Sequence, residues 1–200
     1  MDAVGIIGLA ASVSLLSGWR LYLCVFAVGL AMHFHWVPLP QQLHGLDVLA
    51  SWWVIGAAGL GALAEFFADK VMWIDSAWDA VHTLVRPIGG ALLALAIVDP
   101  KDGAWQVAAL LLGGGAALLT HGAKAGTRAA VNVSPEPFSN IAVSSGEDIV
   151  TSGLLVLVLA HPAVAGAVAL VLAALALWAI LALRKVVRRL RPKPKPPASV

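Results

Sequence analysis

The chain has 200 residues, 60% of them hydrophobic and only 12% charged, with a mean hydropathy of +0.88. Soluble domains carry about twice that charged fraction. The formal net charge of +2 is concentrated at one end, where Arg184, Lys185, Arg188, Arg189, Arg191, Lys193 and Lys195 follow a hydrophobic run. That cluster reads as a cytoplasmic anchor in contact with anionic lipid, and no module for nucleic acid accompanies it.

A first helix is predicted over 3–31, with a bend or break where Ser17, Gly18 and Arg20 fall near its middle. Met1-Asp2 lacks the basic n-region of a cleaved secretory signal, so this helix is expected to persist in the mature protein. The lone cysteine, Cys24, lies in its apolar second half and excludes an intrachain disulfide. A loop over 32–50 follows, carrying His33, His35, Pro38, Pro40, His44 and Asp47 but no Lys or Arg. His33 and His35 read as surface residues.

The second helix, 51–70, opens on Trp52 and Trp53 at an interface and ends with Glu65, Asp69 and Lys70. Gly56, Gly59 and Gly61 favour close helix contact. A third helix is expected to start at Asp75 or Ser76, with Asp75 as N-cap, and Pro87 should kink or interrupt it before apolar residues continue to Val98. Asp99-Pro100-Lys101-Asp102-Gly103 is a turn. The fourth helix runs from 104 into the 120s through Gly113-Gly114-Gly115 and Gly122-x-x-x-Gly126, and Ser134-Pro135-Glu136-Pro137 then breaks the chain. The fifth, 139–160, holds Glu147 and Asp148 in its first half, and His161-Pro162 joins it tightly to the sixth, 163–190. Ala163 to Leu183 carries no charge and is long enough to cross a bilayer. Residues 191–200, with their prolines, read as an extended, disordered tail.

The expected fold class is therefore all-α: a polytopic membrane helical bundle over 1–190, with a basic, proline-rich tail. Six crossings place both termini on one side. Lys70, Lys124, Arg128 and the C-terminal cluster share that side, and the positive-inside rule makes it cytoplasmic, in a bacterial inner membrane. Ser17-Gly18-Trp19-Arg20 is echoed by Ala125-Gly126-Thr127-Arg128, and Glu65 with Asp69 by Glu147 and Asp148. Two three-helix halves so related would be inverted repeats with broken helices.

Two polar stripes carry the chemistry. Asp75, Asp79, His82 and Arg86 are spaced 4, 3 and 4 apart, and His121, Lys124, Arg128 and Asn132 are spaced 3, 4 and 4 apart, so each set occupies one helix face. An ionised group deep in a bilayer costs about 2.5–3.5 kcal/mol on insertion scales unless it is paired or hydrated. Arg86 and Arg128 can snorkel to an interface. Arg20 is too deep for that and should pair with Glu65 or Glu147. Asp79 and His82, one turn apart, suit either a structural hydrogen bond or proton handling. Lys124, Arg128 and Asn132 suit either an anion or neutralisation of Asp75, Asp79 and Glu65 from a neighbouring helix. Asp75, Asp79, His82 and His121 would have to converge to hold a metal, and no zinc-enzyme or nucleophile-elbow pattern is present.

Ser17-Gly18-Trp19-Arg20-Leu21-Tyr22, Glu65-Phe66-Phe67-Ala68-Asp69-Lys70 and Asp75-Ser76-x-Trp78-Asp79-x-x-His82-Thr83-x-x-Arg86-Pro87 carry a likeness to a known family. So does the long motif from Thr120-His121-x-x-Lys124 through Arg128 and Asn132 to Phe138-Ser139-Asn140, followed by Glu147-Asp148. Over roughly 5–190 the chain resembles a bacterial membrane family, domain-of-unknown-function family 4126. The resemblance implies a small multi-spanning inner-membrane protein and brings no activity, cofactor or site residue with it.

The functional expectation is a transporter or permease-like protein for a small ion or polar solute, without cofactor or metal. Arg20, Glu65, Asp69, Glu147 and Asp148 would form a buried charge network. Asp75, Asp79, His82, Arg86, His121, Lys124, Arg128 and Asn132 would line the polar path, with gating at Pro87 and Pro135. Membrane lipids and further copies of the chain, met through the glycine faces, are the expected partners. A non-transporting scaffold is the rival, and an intramembrane lipid-modifying enzyme a weaker third.

Overall fold

The computed structural model describes residues 3–36, 48–97, 103–132 and 137–190, all helices and short turns. The helices are α1 (Ala3–Trp19), α2 (Leu21–His33), α3 (Trp52–Ala68), α4 (Met72–Ile97), α5 (Gly103–Val131), α6 (Pro137–Ala160) and α7 (Pro162–Leu190). Most of the loop expected over 32–50, most of the 99–103 turn, the break around Pro135 and the 191–200 tail lie outside the described residues.

Helices α4 to α7 are each long and apolar enough to cross a membrane. At 1.5 Å per residue, the 17 residues of α1 or α3 reach only about 25 Å, short of a hydrocarbon core of about 30 Å. The helix expected over 3–31 is broken at Arg20, whose extended φ of −140° separates α1 from α2. The break follows Ser17 and Gly18 and keeps local hydrogen bonds on both sides, from Arg20 N to Leu16 O and from Cys24 N to Arg20 O. Ser51 caps α3 by accepting from the Val54 amide. Pro137 and Pro162 occupy first-turn positions of α6 and α7, where a missing N–H is harmless.

The expected start of α4 needs correction. It begins at Met72, and the Asp75 amide already donates to Val71 O, so Asp75 sits within the first turn and is not the cap. The helix also runs unbroken through Pro87. Packing against neighbouring helices tolerates a proline in a membrane helix, and here α5 comes close: a Cβ on Gly114 would lie 3.1 Å from Pro87 O.

Helix α1 is the centre of the bundle, packed by α4, α5 and α7, while α4 and α5 form the most extensive helix pair and α2 leans on α3. Small residues make this proximity feasible. A Cβ on Gly18 would lie 1.9 Å from Thr120 Oγ1 and 2.2 Å from Ala117 O, and one on Gly90 would lie 2.5 Å from Ala117 Cβ. Hydroxyls tie the same contacts: Ser14 donates to Gly90 O at 3.0 Å and Thr120 to Leu15 O at 2.6 Å. In a bilayer, where apolar burial alone does not drive helices together, such contacts matter most. Gly18, Gly90, Gly113 and Gly126 are thus used within the chain. Gly56, Gly115, Gly146 and Gly153 face open space.

Around α1 the apolar residues Leu9, Val13, Leu16, Leu93 and Ile97 form a buried core. Large apolar side chains such as Trp53, Leu60, Leu84, Leu112 and Leu170 point outwards, as expected for lipid-facing surfaces. The protein is therefore an all-α, polytopic membrane-spanning bundle in contact with lipid.

Candidate functional site: a buried charge network

Helical periodicity sets the site. On α4, Asp75, Asp79, His82 and Arg86 turn inward as one stripe, and on α5 His121, Lys124 and Arg128 do the same; all are buried. Because α4 and α5 pack along their length, the two stripes meet. The break at Arg20 and the tight turn after α3 bring Arg20, Glu65 and Asp69 into the same region, and the first half of α6 adds Glu147 and Asp148.

The pairings differ from those the spacing suggested. Arg20 makes a short ion pair with Asp69 and a second with Asp148 at 2.7 Å, whereas Glu147 stands off at 3.9 Å. Glu65, the other expected partner of Arg20, is taken by Arg86 at 2.7 Å. Arg86 also reaches Asp79 at 3.0 Å. Lys124 pairs with Asp69 at 2.7 Å and lies 3.9 Å from Asp79. Arg128 binds Asp75 at 3.0 Å and donates to the carbonyls of Asp69 and Asn140. Asn132 completes the Asp75 site at 2.9 Å. Lys70, half-buried, closes the set on Asp148 at 3.0 Å. Neither Arg86 nor Arg128 snorkels: their side chains are 0% and 1% exposed.

The histidines are wired by donors and acceptors that define their tautomers. Thr83 Oγ1 donates to Asp79 O, so it accepts from His121 Nε2–H at 3.0 Å, and His121 Nδ1 accepts from Arg86 at 2.6 Å. His82 Nδ1–H donates to Trp78 O at 2.7 Å, leaving Nε2 to accept from the Tyr22 hydroxyl at 3.0 Å. Trp78 stacks on the His82 ring at 4.4 Å. The hydrogen bonds of His82 therefore go to Trp78 and Tyr22 instead of Asp79. Tyr22 and Lys70 were not among the site residues expected from the sequence. Tyr22 follows the break by two residues, and only the proximity of α2 to α4 reveals its role.

Five bases (Arg20, Lys70, Arg86, Lys124 and Arg128) face six carboxylates (Glu65, Asp69, Asp75, Asp79, Glu147 and Asp148), one negative charge in excess if all are ionised. Four buried carboxylate oxygens lack a hydrogen-bond partner among the described residues: Glu65 Oε2, Asp69 Oδ1, Asp79 Oδ2 and Glu147 Oε2. No group of three or more His, Cys, Asp or Glu residues is arranged to hold a metal ion among the described residues. Asp75, Asp79, His82 and His121 instead spend their contacts on the partners above.

The network is lopsided along the bundle. It lies at the end where α3 turns into α4 and where α5 finishes. The last turns of α7 lie at this end too, since a Cβ on Gly126 would touch Leu183. The exposed Arg188 and Arg189 follow there. Towards the other end the interior is the closed apolar layer of Val13, Leu16 and Leu93.

No curated protein and no solved structure matches the chain. Residues 7–182 match the family described as Domain of unknown function (DUF4126). That span takes in the Arg20 break, both stripes and the Glu147-Asp148 pair, and the chain belongs to this family.

Proposed function

We propose that the protein moves a small ion or polar solute across a bacterial inner membrane, with the charge network as its internal binding region. The observation that carries this reading is the surplus carboxylate together with four buried carboxylate oxygens that lack partners. Intramembrane ionisable groups are expensive to keep, and an incompletely neutralised set provides a place for a proton or cation to reside. Movement across the membrane requires the Val13, Leu16 and Leu93 layer to open. The break at Arg20 and Pro87 in α4 are the backbone positions at which this occurs. Arg188 and Arg189 end α7 on the network side, which the positive-inside rule makes the cytoplasmic half. Helix α1 starts at the opposite end, where Ser12 donates to Ala165 O near the start of α7, so the expected placement of both termini on one side does not hold. The glycines facing open space offer contacts to a second copy, and the reading involves no covalent chemistry.

Proton and ion flux into proteoliposomes tests this, comparing wild type with Asp79→Asn and Lys124→Gln. Transport predicts flux in the wild type that is lost or re-specified in either variant. Absence of flux across a broad ion panel, with both variants folded, refutes it.

A scaffold reading is favoured by a different observation: most of the charges are paired at 2.7–3.2 Å and shielded from solvent. Buried polar groups can specify helix register without transporting anything. The same flux measurement separates the two, because a folded scaffold shows no flux in the wild type and a transport path does.

A further inference from the structure

Helix α6 carries a third polar stripe, Asn140, Ser144, Glu147 and Thr151, spaced 4, 3 and 4 apart like the stripe of α4. Asn140, Ser144 and Thr151 are buried, and Glu147 is 16% exposed with its Oε2 atom buried. Glu147 Oε2 and Thr151 Oγ1, one turn apart, both lack a hydrogen-bond partner among the described residues. Past Thr151 the same face continues as Leu155 and Val158, which belong to the apolar core with Val13 and Leu16. Glu147 is therefore the last charged group on this face before the apolar layer.

Pairing sets Glu147 apart from the other carboxylates. Asp69 is held by Arg20 and Lys124, Asp148 by Arg20 and Lys70, Glu65 and Asp79 by Arg86, and Asp75 by Arg128, each with a base within 3.0 Å. Glu147 has only Arg20 Nη2 at 3.9 Å, and that nitrogen lies 2.7 Å from Asp148 while Nη1 serves Asp69. Lys124 and Arg128 on α5 and Asp69 at the end of α3 bear on Glu147 electrostatically without forming an ion pair with it. Neither histidine supplies a further positive charge, because His121 Nδ1 accepts from Arg86 and His82 Nε2 from Tyr22. Five bases are thus matched by five carboxylates, and the surplus negative charge of the network falls on Glu147. An ionised carboxylate left unpaired out of water is far costlier than its neutral acid.

We infer that Glu147 is the proton-binding site of this protein, its carboxylate taking up one proton to form the neutral acid that balances the network. Release of that proton needs a positive partner, and Arg20 is the one within reach. Moving Arg20 Nη2 across to Glu147 leaves Asp148 with Lys70 at 3.0 Å. This inference names the cargo of the transport reading as a proton and rests on that reading only for movement, since proton binding is measured separately.

Infrared spectra of the full chain in an ester-free detergent test this, comparing wild type with Glu147→Gln and Asp148→Asn. At neutral pH the wild type should show the C=O stretch of a protonated carboxylic acid, and Glu147→Gln should lack it. Glu147→Gln should otherwise fold like wild type, because a neutral amide replaces a neutral acid, and protection of the buried Cys24 from maleimide reports this. Asp148→Asn frees Arg20 Nη2 for Glu147, so the acid band should be lost there too although the glutamate is intact. A folded wild type without the band, a band unchanged in either variant, or a Glu147→Gln chain that unfolds would each overturn the inference. Loss of the wild-type band on adding sodium at constant pH would also overturn it, since the site would then hold a metal cation. The band without any proton flux into proteoliposomes would sink the transport reading and leave the proton site standing. Flux that persists in Glu147→Gln, with no acid band in wild type, would do the reverse.

Discussion

Replacing Glu65 with leucine removes the carboxylate that holds Arg86 Nη2 at 2.7 Å, in a pair whose side chains are 1% and 0% exposed. Arg86 would keep Asp79 at 3.0 Å and His121 at 2.6 Å but would carry an uncompensated half of its guanidinium in a buried position. Breaking a buried pair from one side costs about 3–5 kcal/mol, because the remaining charge is stranded. Arg86→Met should cost at least as much, since it strips a partner from Glu65 and Asp79 together. The double variant Glu65→Leu, Arg86→Met leaves Asp79 and His121 Nδ1 short of a partner, with Lys124 still 3.9 Å from Asp79. Its destabilisation should therefore fall below the sum of the singles by about 2 kcal/mol or more, within the range seen for directly coupled sites. Reversible unfolding in mixed micelles, followed by tryptophan fluorescence and far-UV circular dichroism, measures all four corners of the cycle. Single variants within about 1 kcal/mol of wild type, or strict additivity, would show that solvent reaches this pair and that the network is not a closed one.

Gly18→Ala should lower stability by about 1–3 kcal/mol, because its methyl group overlaps Ala117 O and pushes α1 from α5. Gly115→Ala, in open space, should be neutral or stabilising by up to about 1 kcal/mol, and a thermal melt in detergent compares the two. Tyr22→Phe deletes the hydroxyl that donates to His82 Nε2 and should cost about 1 kcal/mol, with a larger loss reporting a wider role for that bond. In a Cys24→Ala background, cysteines placed at Lys70 and at Arg188 should react with an impermeant maleimide from the same side of sealed vesicles. Reaction from opposite sides would contradict the arrangement of α4, α5 and α7.

Hydropathy, segment length and turn residues were sufficient to read an all-α membrane bundle, the helices now called α3 to α7 within a few residues, and a break near Arg20. Periodicity was sufficient to put Asp75, Asp79, His82 and Arg86 on one face and His121, Lys124 and Arg128 on another, since a helix places every third or fourth residue together whatever surrounds it. Which residue meets which was not available from that pattern. Arg20 turns to Asp69 and Asp148, while Glu65 goes to Arg86 and His82 to Tyr22, because arginine, glutamate and tyrosine side chains are long enough to choose among several neighbours. That choice depends on which helices pack and at what depth. Pro87 makes the same point for the backbone: alone it predicts a kink or an interruption, and α4 runs on through it where α5 lies close. Local sequence determines faces and breaks through covalent geometry, whereas the identity of each partner is decided by distances of a few ångströms between helices far apart in the chain.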